Sequence, residues 1–459
     1  MQIDHTLSPA SLQPRIDRLW DLSARKIRAI DRRHRSTGET LVYTAGGRYT
    51  SRGWTEWTLG FRHGAALLQF DATGDRAFLE LGRKRILASM GPHITDTGVH
   101  DHGFTIVSTY GTLLRLLGEG RIGRDAWEQR CYETALRCSA AVQAGRWTAI
   151  ADDEGFIHSF NGPHSLFVDT IRTLRSLAIG HRLGHVLMTE GGRRVALIDR
   201  LVSHARATAA YLVADGKGRD IYAERGRVTH EGIFNVADGR FRCLSTQQGY
   251  SPFTTWMRGL AWAMCGFAEQ LEFLETVSDE DLAQSGGRRS VEAMMRRAAC
   301  DACDFYLDHT AADGIPYWDA GAPQLHRLGD YRLKPADPFN PFEPVDSSAA
   351  AIAAQGLLRL GHYLQRRNAR RARRYSHAGL TVLSTLLDDS YLATGPRHEG
   401  LLLHSVYHRP NGWDAIPAHG SVPNGESSMW GDYHLREAAL YVQRLATTGA
   451  PYLTFWGPA

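Results

Sequence analysis

Six segments of the chain share one hydrophobic pattern. Each opens with a polar or aromatic residue and continues through a helix-length run of small and apolar residues that occupy several faces. The six segments begin at Trp57, Asp101, Asp169, Thr255, Asp346 and Trp430. An internal repeat of this kind predicts a series of similar structural units before any motif is interpreted.

Each repeated segment has a neighbouring stretch whose apolar residues lie on one side only. These stretches cover about residues 16–30, 76–90, 127–142, 198–212, 291–305 and 368–388. One of the stripes comprises Trp127, Cys131, Ala135, Cys138 and Val142. Such stripes are typical of surface helices that bury one face, whereas Gly, Ala and Ser on several faces suit helices enclosed by others.

The two kinds of segment together predict an all-α fold. Six inner and six outer helices make an (α/α)6 barrel, which we expect to form one domain over residues 1–459. An α-solenoid also alternates helices, but it needs a near-constant period, and the six starts are unevenly spaced. A closed ring with a mouth of unequal loops fits the spacing better.

Composition adds limits on function and location. Charged residues make up 22% and hydrophobic residues 43% of the 459 positions, and the net charge of +4 is too small to indicate nucleic-acid binding. No signal-peptide core and no membrane-length apolar run occurs, so we expect a cytoplasmic protein without a membrane partner. The sequence leaves the oligomeric state open.

The sequence predicts neither a metal nor a cofactor. His100 and His102 flank Asp101 and could suggest a metal site. Two histidines without further clustered ligands make a weak metal site.

Two aspartates stand at the starts of inner segments, Asp101 in VHDHGF and Asp169 in LFVDTIRTL. A helix-capping role explains either residue alone, since a first-turn acid accepts backbone N–H groups. It explains poorly why both acids lie where the barrel mouth would collect them. Two nearby carboxyls can divide acid and base roles, as in enzymes that hydrolyse sugars.

Aromatic residues are concentrated at the same starts. They are Trp54, Trp57, Phe61, Phe160, Tyr250, Trp256, Trp262, Trp318 and Trp430. Core packing is one interpretation of these side chains. Aromatic rings in a polar cleft also fit the apolar face of a sugar.

Several motifs in order make the chain recognisable. HDHGF, FVDTIRTL, THEGIFN, QQGYSPFTTWMRGLAW, DSSAAAIAAQGLLRL and MWGDYHLREA resemble the unsaturated glucuronyl hydrolases, glycoside hydrolase family 88. The related unsaturated rhamnogalacturonyl hydrolases share parts of the pattern. The resemblance implies an (α/α)6 barrel. It also implies an enzyme that removes a Δ4,5-unsaturated uronic acid from oligosaccharides by hydrating the C4=C5 enol ether.

The resemblance also implies roles for individual residues. Asp169 matches the general acid/base, which should be desolvated with a raised pKa, and Asp101 matches the second catalytic aspartate. Arg258 can then hold the substrate carboxylate in a bidentate pair. The remaining residues expected to bind substrate are Trp57, Phe61, His100, Phe160, His230, Gln248, Trp262 and Trp430.

Some features depart from the family pattern. Phe160 stands where the family usually has a tryptophan, an insertion-like stretch covers 325–344, and Glu426 is added near the mouth. An ordinary glycosidase acting on a saturated sugar therefore stays open as an alternative, with Glu426 joining the catalytic pair. A third alternative is a non-catalytic carbohydrate-binding barrel.

Overall fold

Twelve long helices in chain order form the framework of the protein. The computed structural model describes residues 1–35, 40–53, 56–150, 154–217 and 223–452. The helices are α1 Pro9–Arg33, α2 Leu59–Thr73, α3 Arg76–Ser89, α4 102–118, α5 Ala126–Gly145, α6 170–182, α7 Leu197–Tyr211, α8 Met257–Leu274, α9 Arg288–His309, α10 Ser347–Leu364, α11 Ala369–Leu386 and α12 Met429–Thr448.

The even-numbered helices close into a ring. α2 contacts α4, each even helix contacts the next, and α12 returns to α2. Each odd-numbered helix packs outside the ring against an even-numbered neighbour. The prediction of an (α/α)6 barrel with six inner and six outer helices is therefore confirmed.

Glycines allow the inner helices to approach one another closely. A Cβ atom at Gly103 of α4 would lie 2.2 Å from the Thr173 carbonyl oxygen of α6. A Cβ atom at Gly60 of α2 would lie 2.5 Å from the Thr105 carbonyl oxygen of α4. Backbone-to-backbone contact at these crossings leaves no room for a side chain, which explains the small residues of the repeated segments.

The phase of the outer helices was predicted correctly for α1 and only in part for α5, where Ala135 of the predicted stripe is buried but its first residues are not. In α5, Trp127 is 79% exposed and Cys131 is also exposed. The buried face instead contains Ser139 and Gln143. Ser139 hydrogen bonds to the His102 ring at 2.8 Å, and the Gln143 amide donates to the His100 carbonyl at 3.0 Å. The inward face of α5 is thus partly polar because it anchors the loop around Asp101.

Short antiparallel strands decorate the barrel. They are β1 Thr40–Ala45, β2 Arg48–Arg52, β3 Trp147–Ala149, β4 Gly155–Ile157, β5 Ser165–Phe167, β6 Val186–Met188, β7 Arg194–Ala196, β8 Glu231–Phe234 and β9 Phe241–Ser245. The pairings are β1 with β2, β3 with β4, β6 with β7, and the three-stranded sheet β5–β8–β9. β5 ends two residues before Asp169, so this sheet fixes the start of α6.

Two inner helices are irregular directly after the predicted catalytic aspartates. α4 consists of the turn His102–Thr105, a π-helical turn Val107–Gly111 and the α-helix Thr112–Gly118. α6 is divided into Thr170–Thr173 and Arg175–Arg182. Interrupted helices of this kind are frequent at functional sites.

The centre of the ring contains buried charges. Arg172 of α6 is fully buried and forms ion pairs with Glu269 of α8 and Glu437 of α12. Its Nη1 also donates to His434 Nε2 at 3.0 Å. Because each charge has a partner of opposite sign, the network ties three inner helices together without leaving an unpaired ion.

Within the described ranges, no helix is long and apolar enough to cross a membrane. The same residues contain no group of three or more His, Cys, Asp or Glu side chains placed to hold a metal ion. The stretch 325–344 forms two short 3-10 turns, Leu325–Leu328 and Tyr331–Leu333. The single-domain boundary over 1–459 stays a prediction.

Candidate active site

A cavity of about 620 Å³ opens where the inner helices begin. The starts of α2, α4, α6 and α8 contribute to its wall, together with the loop before α12, so four of the six starts predicted to converge line this pocket and those of α10 and α12 do not. The lining residues are Glu56, Trp57, Val99, His100, Asp101, Phe104, Phe160, Asp169, Gln247, Gln248, Trp256, Arg258, Trp262, Tyr407, His408, Asn411 and Trp413.

Three aspartates begin inner helices, and only one of them caps its helix. The Asp346 carboxylate accepts the backbone N–H groups of Ser348 and Ala349 at the start of α10. Asp101 and Asp169 accept no capping hydrogen bond from α4 or α6. Capping therefore does not explain the two aspartates that line the cavity, and their carboxyl groups are available for chemistry.

The imidazole of His100 lies between the two cavity aspartates. Its Nε2 is 3.1 Å from an Asp169 oxygen and 3.9 Å from an Asp101 oxygen. Its Nδ1 is buried and has no hydrogen-bond partner among the described residues. An ionised Asp169 can only accept a hydrogen bond, so Nε2 carries a proton and donates it to Asp169, and His100 links the protonation states of both carboxyls.

Burial raises the pKa of the Asp101 carboxyl to about 6. The nearby His100 opposes this shift and the charge of Asp169 adds to it. No described group donates a hydrogen bond to the Asp101 carboxyl, so no hydrogen bond replaces the lost hydration of its ionised form. Asp101 is therefore the cavity acid that takes up a proton once the pH falls to about 6.

The pKa of the Asp169 carboxyl is shifted in the opposite direction. Burial by itself would raise the pKa of its carboxyl, but the hydrogen bond from His100 and the charge of that imidazole lower it. Arg258 contributes in the same direction, and the result lies below the ordinary value. Asp169 is buried as expected, being 9% exposed, but the raised pKa predicted for it is wrong because His100 stabilises its ionised form.

The pKa of His100, between the two carboxyls, is also shifted. Burial lowers the pKa of the imidazole, but the charge of Asp101 and the hydrogen bond to Asp169 outweigh burial and raise it above the ordinary value. The free site therefore favours a charged His100 beside an ionised Asp169, and the Asp101 carboxyl is the group that takes up a proton as the pH falls to about 6.

Arg258 lines the cavity but its guanidinium is already engaged. Nη1 donates to Asp346 at 3.2 Å and to the Val406 carbonyl. Nη2 donates to the Gln248 side chain at 2.7 Å and to the Tyr407 carbonyl at 2.8 Å. The two Nη atoms carry four hydrogens in all, so the expected free fork for a substrate carboxylate is not present. Arg258 instead ties α8, α10 and the loop before α12 together.

Gln248 and His230 lie on the Asp169 side of the site. Gln248 lines the cavity, and its side-chain oxygen accepts from Arg258, which leaves its amide nitrogen as a donor. His230 is buried outside the lining, where its Nδ1 accepts the Gln247 N–H at 3.0 Å. Its Nε2 therefore carries the proton and has no partner among the described residues. Burial lowers the pKa of His230 to about 4, so the ring is neutral.

The predicted aromatic residues fall into two layers. Trp57, Trp262 and Phe160 line the cavity, and Phe160 is 55% exposed at its rim. Phe61 and Trp430 are completely buried and lie behind the wall. Trp430 stacks against Trp57 with ring centroids 5.3 Å apart, and Phe61 meets Trp57 edge-on at 5.6 Å. The predicted substrate contacts of Phe61 and Trp430 are wrong, because both rings support Trp57 from below.

The other aromatic predictions have mixed outcomes. Trp256 lines the cavity, whereas Tyr250 and Trp318 do not. Trp318 instead donates its indole N–H to Glu343 at 2.8 Å. Trp54 lies outside the described residues.

The chain is similar in sequence and in fold to proteins of known activity. No model of a known protein family matches the chain. An unsaturated glucuronyl hydrolase of Bacillus sp. (strain GL1) is 27% identical over 404 residues, which cover 86% of this chain and 88% of that protein. The crystal structure of the unsaturated glucuronyl hydrolase from Bacillus sp. GL1 matches with a TM-score of 0.70 at 23% identity, over 97% of this chain and 100% of that chain.

The chain is unsaturated glucuronyl hydrolase-like. An unsaturated chondroitin disaccharide hydrolase of Streptococcus pneumoniae is also similar, at 23% identity over 395 residues that cover 84% of this chain and 81% of that protein. The resemblance inferred from the motifs is thereby confirmed, and so is the barrel fold.

One part of the candidate site was not predicted. Tyr407, His408, Asn411 and Trp413, in the loop before α12, form a wall of the cavity. The loop is folded on Asp414, which accepts the backbone N–H groups of Tyr407 and His408. The segment YHRPNGWD combines aromatic, amide and turn-forming residues, and this composition was the available signal for a binding loop.

The carboxylates at the mouth also differ from the prediction. Glu426 does not line the cavity. Its carboxylate accepts the Thr44 hydroxyl at 2.5 Å and the backbone N–H of Gly46 at 2.8 Å, in the turn between β1 and β2. The proposal that Glu426 joins the catalytic pair is therefore wrong. Glu56, which the sequence analysis missed, lines the cavity instead.

Proposed function

We propose that the protein is a glycoside hydrolase that removes a Δ4,5-unsaturated uronic acid from the non-reducing end of oligosaccharides. The reaction hydrates the C4=C5 enol ether, and the resulting hemiketal opens to release the remaining sugar. The similarity of the chain to unsaturated glucuronyl hydrolases, in sequence and in the barrel fold, supports this reaction. Asp101 and Asp169 at one cavity wall, connected by His100, are the observation that carries it.

Hydration of the double bond needs an acid and a base at the same time. C4 must receive a proton, and the water that adds to C5 must lose one. The pKa of Asp101 is about 6 and that of Asp169 is lowered, so at mildly acidic pH the pair holds one protonated and one ionised carboxyl, as the reaction requires. We assign the first transfer to Asp101 and the proton acceptance to Asp169, with His100 between them so that the proton can return.

The surrounding groups fit the other needs of the reaction. The neutral His230 presents an unpartnered Nε2–H, and Gln248 presents its amide nitrogen. These donors can orient the attacking water near Asp169. Arg258 supplies positive charge for the substrate carboxylate, while its hydrogen bonds hold the wall in place. Trp57 and Trp262 offer aromatic surface to the uronate ring.

The test uses unsaturated disaccharides produced by polysaccharide lyases. Hydration destroys the conjugated uronate, so its ultraviolet absorbance falls as the reaction proceeds. We expect turnover by the wild type and a loss of about 10²–10⁴-fold in Asp169→Asn, with the fold intact by circular dichroism. Glu426→Gln is the matched control, because its carboxylate lies outside the cavity and should leave the rate nearly unchanged. Wild-type rates in Asp169→Asn would contradict the assignment.

A second candidate is an ordinary glycosidase for a saturated glucuronide. It is favoured by Glu56, which adds a third carboxyl to the cavity and whose pKa is raised by burial and by the charge of Asp101. This enzyme would hydrolyse a chromogenic saturated glucuronide and leave the ultraviolet absorbance of unsaturated disaccharides unchanged. It would also lose activity in Glu56→Gln. The opposite pattern supports hydration.

A further inference from the structure

Three Asn-Gly pairs occur in the chain, at positions 161–162, 411–412 and 424–425. An asparagine followed by glycine is chemically labile, because glycine has no side chain to keep its amide nitrogen away from the asparagine side chain. Of the three asparagines, Asn411 is the one that lines the active-site cavity. The surroundings of the three pairs differ, and they decide which pair can react.

The first pair is held through the asparagine side chain. Nδ2 of Asn161 donates to the Glu231 carboxylate at 3.0 Å. Oδ1 of Asn161 accepts from the Gln247 side chain at 2.8 Å. Because the side-chain amide is bound at both ends, it cannot turn toward the nitrogen of Gly162 without losing two hydrogen bonds.

The last pair is held through its glycine. The Gly425 N–H donates to Nδ1 of His404 at 3.0 Å, and this histidine is 2% exposed. Nε2 of the same ring contacts the Ser390 carbonyl at 3.0 Å, so the ring is fixed on both sides. The nitrogen that would have to attack the Asn424 side chain is therefore bound to a buried group.

The middle pair lacks both kinds of protection. Asn411 and Gly412 are exposed, in a turn over 409–412. The Gly412 N–H donates to the Arg409 carbonyl at 3.0 Å, within the same turn. Local opening of an exposed turn costs little free energy, so this hydrogen bond does not keep the nitrogen from the Asn411 side chain.

The side chain of Asn411 is weakly held as well. The Asn411 backbone N–H lies 3.3 Å from Nδ1 of His408, and Nδ2 of Asn411 lies 3.4 Å from Nε2 of the same ring. Burial lowers the pKa of His408 to about 4, so the ring is neutral and has one acceptor nitrogen. His408 can therefore accept only one of these two N–H groups.

We propose that Asn411 is a site of spontaneous deamidation, which places a negative charge in the cavity wall and weakens the binding of an acidic sugar. The Gly412 nitrogen loses its proton and attacks Cγ of Asn411. The new N–Cγ bond closes a succinimide ring, the Cγ–Nδ2 bond breaks, and ammonia leaves with the proton. Water then adds to one of the two ring carbonyls, which opens the ring to aspartate or isoaspartate. The reaction consumes one water and releases one ammonia.

The new carboxylate would join a cavity that is already acidic. Asp101, Asp169 and Glu56 line the same cavity, and the uronate of the proposed function carries a carboxylate of its own. Like charges repel, so we expect KM to rise by roughly two- to fivefold, the size of an exposed charge interaction. This effect on binding rests on the proposed function, whereas the deamidation itself does not.

Peptide mapping by mass spectrometry tests the modification. The wild type is incubated in mildly alkaline buffer below its melting temperature, and samples are digested at intervals. We expect the peptide with Asn411 to gain the mass of an amide-to-carboxyl exchange while the peptides with Asn161 and Asn424 stay unchanged. In the chain unfolded by urea, all three should convert at similar rates. An Asn411 that converts no faster than the other two in the folded protein would overturn the proposal.

Three variants test the effect on the cavity. Asn411→Asp should have the raised KM from the start. Asn411→Gln would have to close a larger ring, so its KM, whatever its initial value, should stay constant during an incubation in which that of the wild type rises. Asn424→Asp is the matched control, because it adds the same charge outside the cavity lining, and it should keep the wild-type KM. An equal drift in the wild type and Asn411→Gln would show that deamidation at 411 is not the cause.

A binding measurement separates this proposal from the proposed function. Quenching of tryptophan fluorescence by an unsaturated disaccharide reports its affinity without turnover. If the disaccharide is not hydrolysed, the hydration reaction is wrong, and the mass spectra still decide whether Asn411 deamidates. Weaker binding by Asn411→Asp than by Asn424→Asp would support the effect of the charge, and equal binding by both would overturn it.

Discussion

Asp101 and Asp346 each begin an inner helix, and replacing each by asparagine should change stability in opposite directions. Asp101 caps nothing and holds a buried carboxyl without a hydrogen-bond donor. Asp346 caps α10 and pairs with the buried guanidinium of Arg258. At position 101 the asparagine removes the cost of burying an ionised carboxyl. At position 346 it removes the carboxylate that pairs with Arg258.

The size of the effect at Asp101 follows from its pKa. The folded-state value is about 6, against 3.8 for the unperturbed group. Each unit is worth about 1.4 kcal/mol, so ionised Asp101 costs the fold about 3 kcal/mol. The cost is absent below the unfolded pKa, where both states are protonated, grows as the pH rises toward the folded pKa, and is fully present above about pH 7. Asp101→Asn should therefore gain about 3 kcal/mol at pH 7.5 and about 1 kcal/mol at pH 4.5.

Asp346→Asn should have the opposite sign. Asparagine can still accept the N–H groups that begin α10, so the cap itself survives. The charge that faces Arg258 is lost, however, and removing one partner of a buried ion pair costs about 3–5 kcal/mol. Because Arg258 also holds two carbonyls of the loop before α12, that loop should loosen as well.

Thermal unfolding of the three proteins at the two pH values measures both effects. For a chain of 459 residues, a change of 3 kcal/mol corresponds to about 3 °C in Tm. We expect Asp101→Asn to melt above the wild type at pH 7.5 while losing activity, and Asp346→Asn to melt below it at both pH values. A lower Tm for Asp101→Asn at pH 7.5 would refute the reasoning and make Asp101 a structural residue.

Two further predictions use the same site. The kcat/KM of the wild type should fall about tenfold per pH unit above pH 6, because Asp101 must be protonated for the reaction. The residual activity of Asp101→Asn should not show this decrease. A flat wild-type profile from pH 6 to pH 8 would contradict the assignment of the proton to Asp101. Arg258→Lys should lower the unfolding free energy by about 2 kcal/mol, the value of one lost charged hydrogen bond, before it changes KM; a raised KM with an unchanged Tm would restore the carboxylate-binding role.

The architecture could be predicted from the sequence because it depends on composition along helices. Small residues on several faces distinguish enclosed helices from striped surface helices, and the close approaches at Gly60 and Gly103 show the physical reason. The convergence of Asp101 and Asp169 on one cavity followed from the ring itself. These conclusions need only the periodicity and the order of the segments.

The phase of individual helices was harder to predict. In α5 the apolar stripe through Trp127 and Cys131 faces solvent, and the inward face contains Ser139 and Gln143. Those polar groups are buried because they bind His102 and the backbone of His100. The buried ion pairs of Arg172 could not be predicted for the same reason. A charged residue in a helix is expected to be exposed unless its partners are known.

The distribution of protons in the site shows what a motif leaves undetermined. The motifs identify Asp101 and Asp169 but give no basis for ranking their pKa values. The ranking depends on one contact, the 3.1 Å hydrogen bond by which His100 favours Asp169 over Asp101. A shift of this imidazole toward Asp101 on substrate binding would reverse the ranking, so the two carboxyls are best regarded as one coupled acid–base unit.

The motif also leaves undetermined whether the hydrogen-bond donors of Arg258 are free. Its spacing from Gln248 and Trp262 fits the resemblance, and its side chain does reach the cavity. Arg258 can bind a carboxylate only with N–H groups that the fold leaves free. Asp346, Gln248 and two loop carbonyls accept from all four hydrogens on its Nη atoms. The loop that Arg258 holds contains Trp413, against which Arg52 stacks.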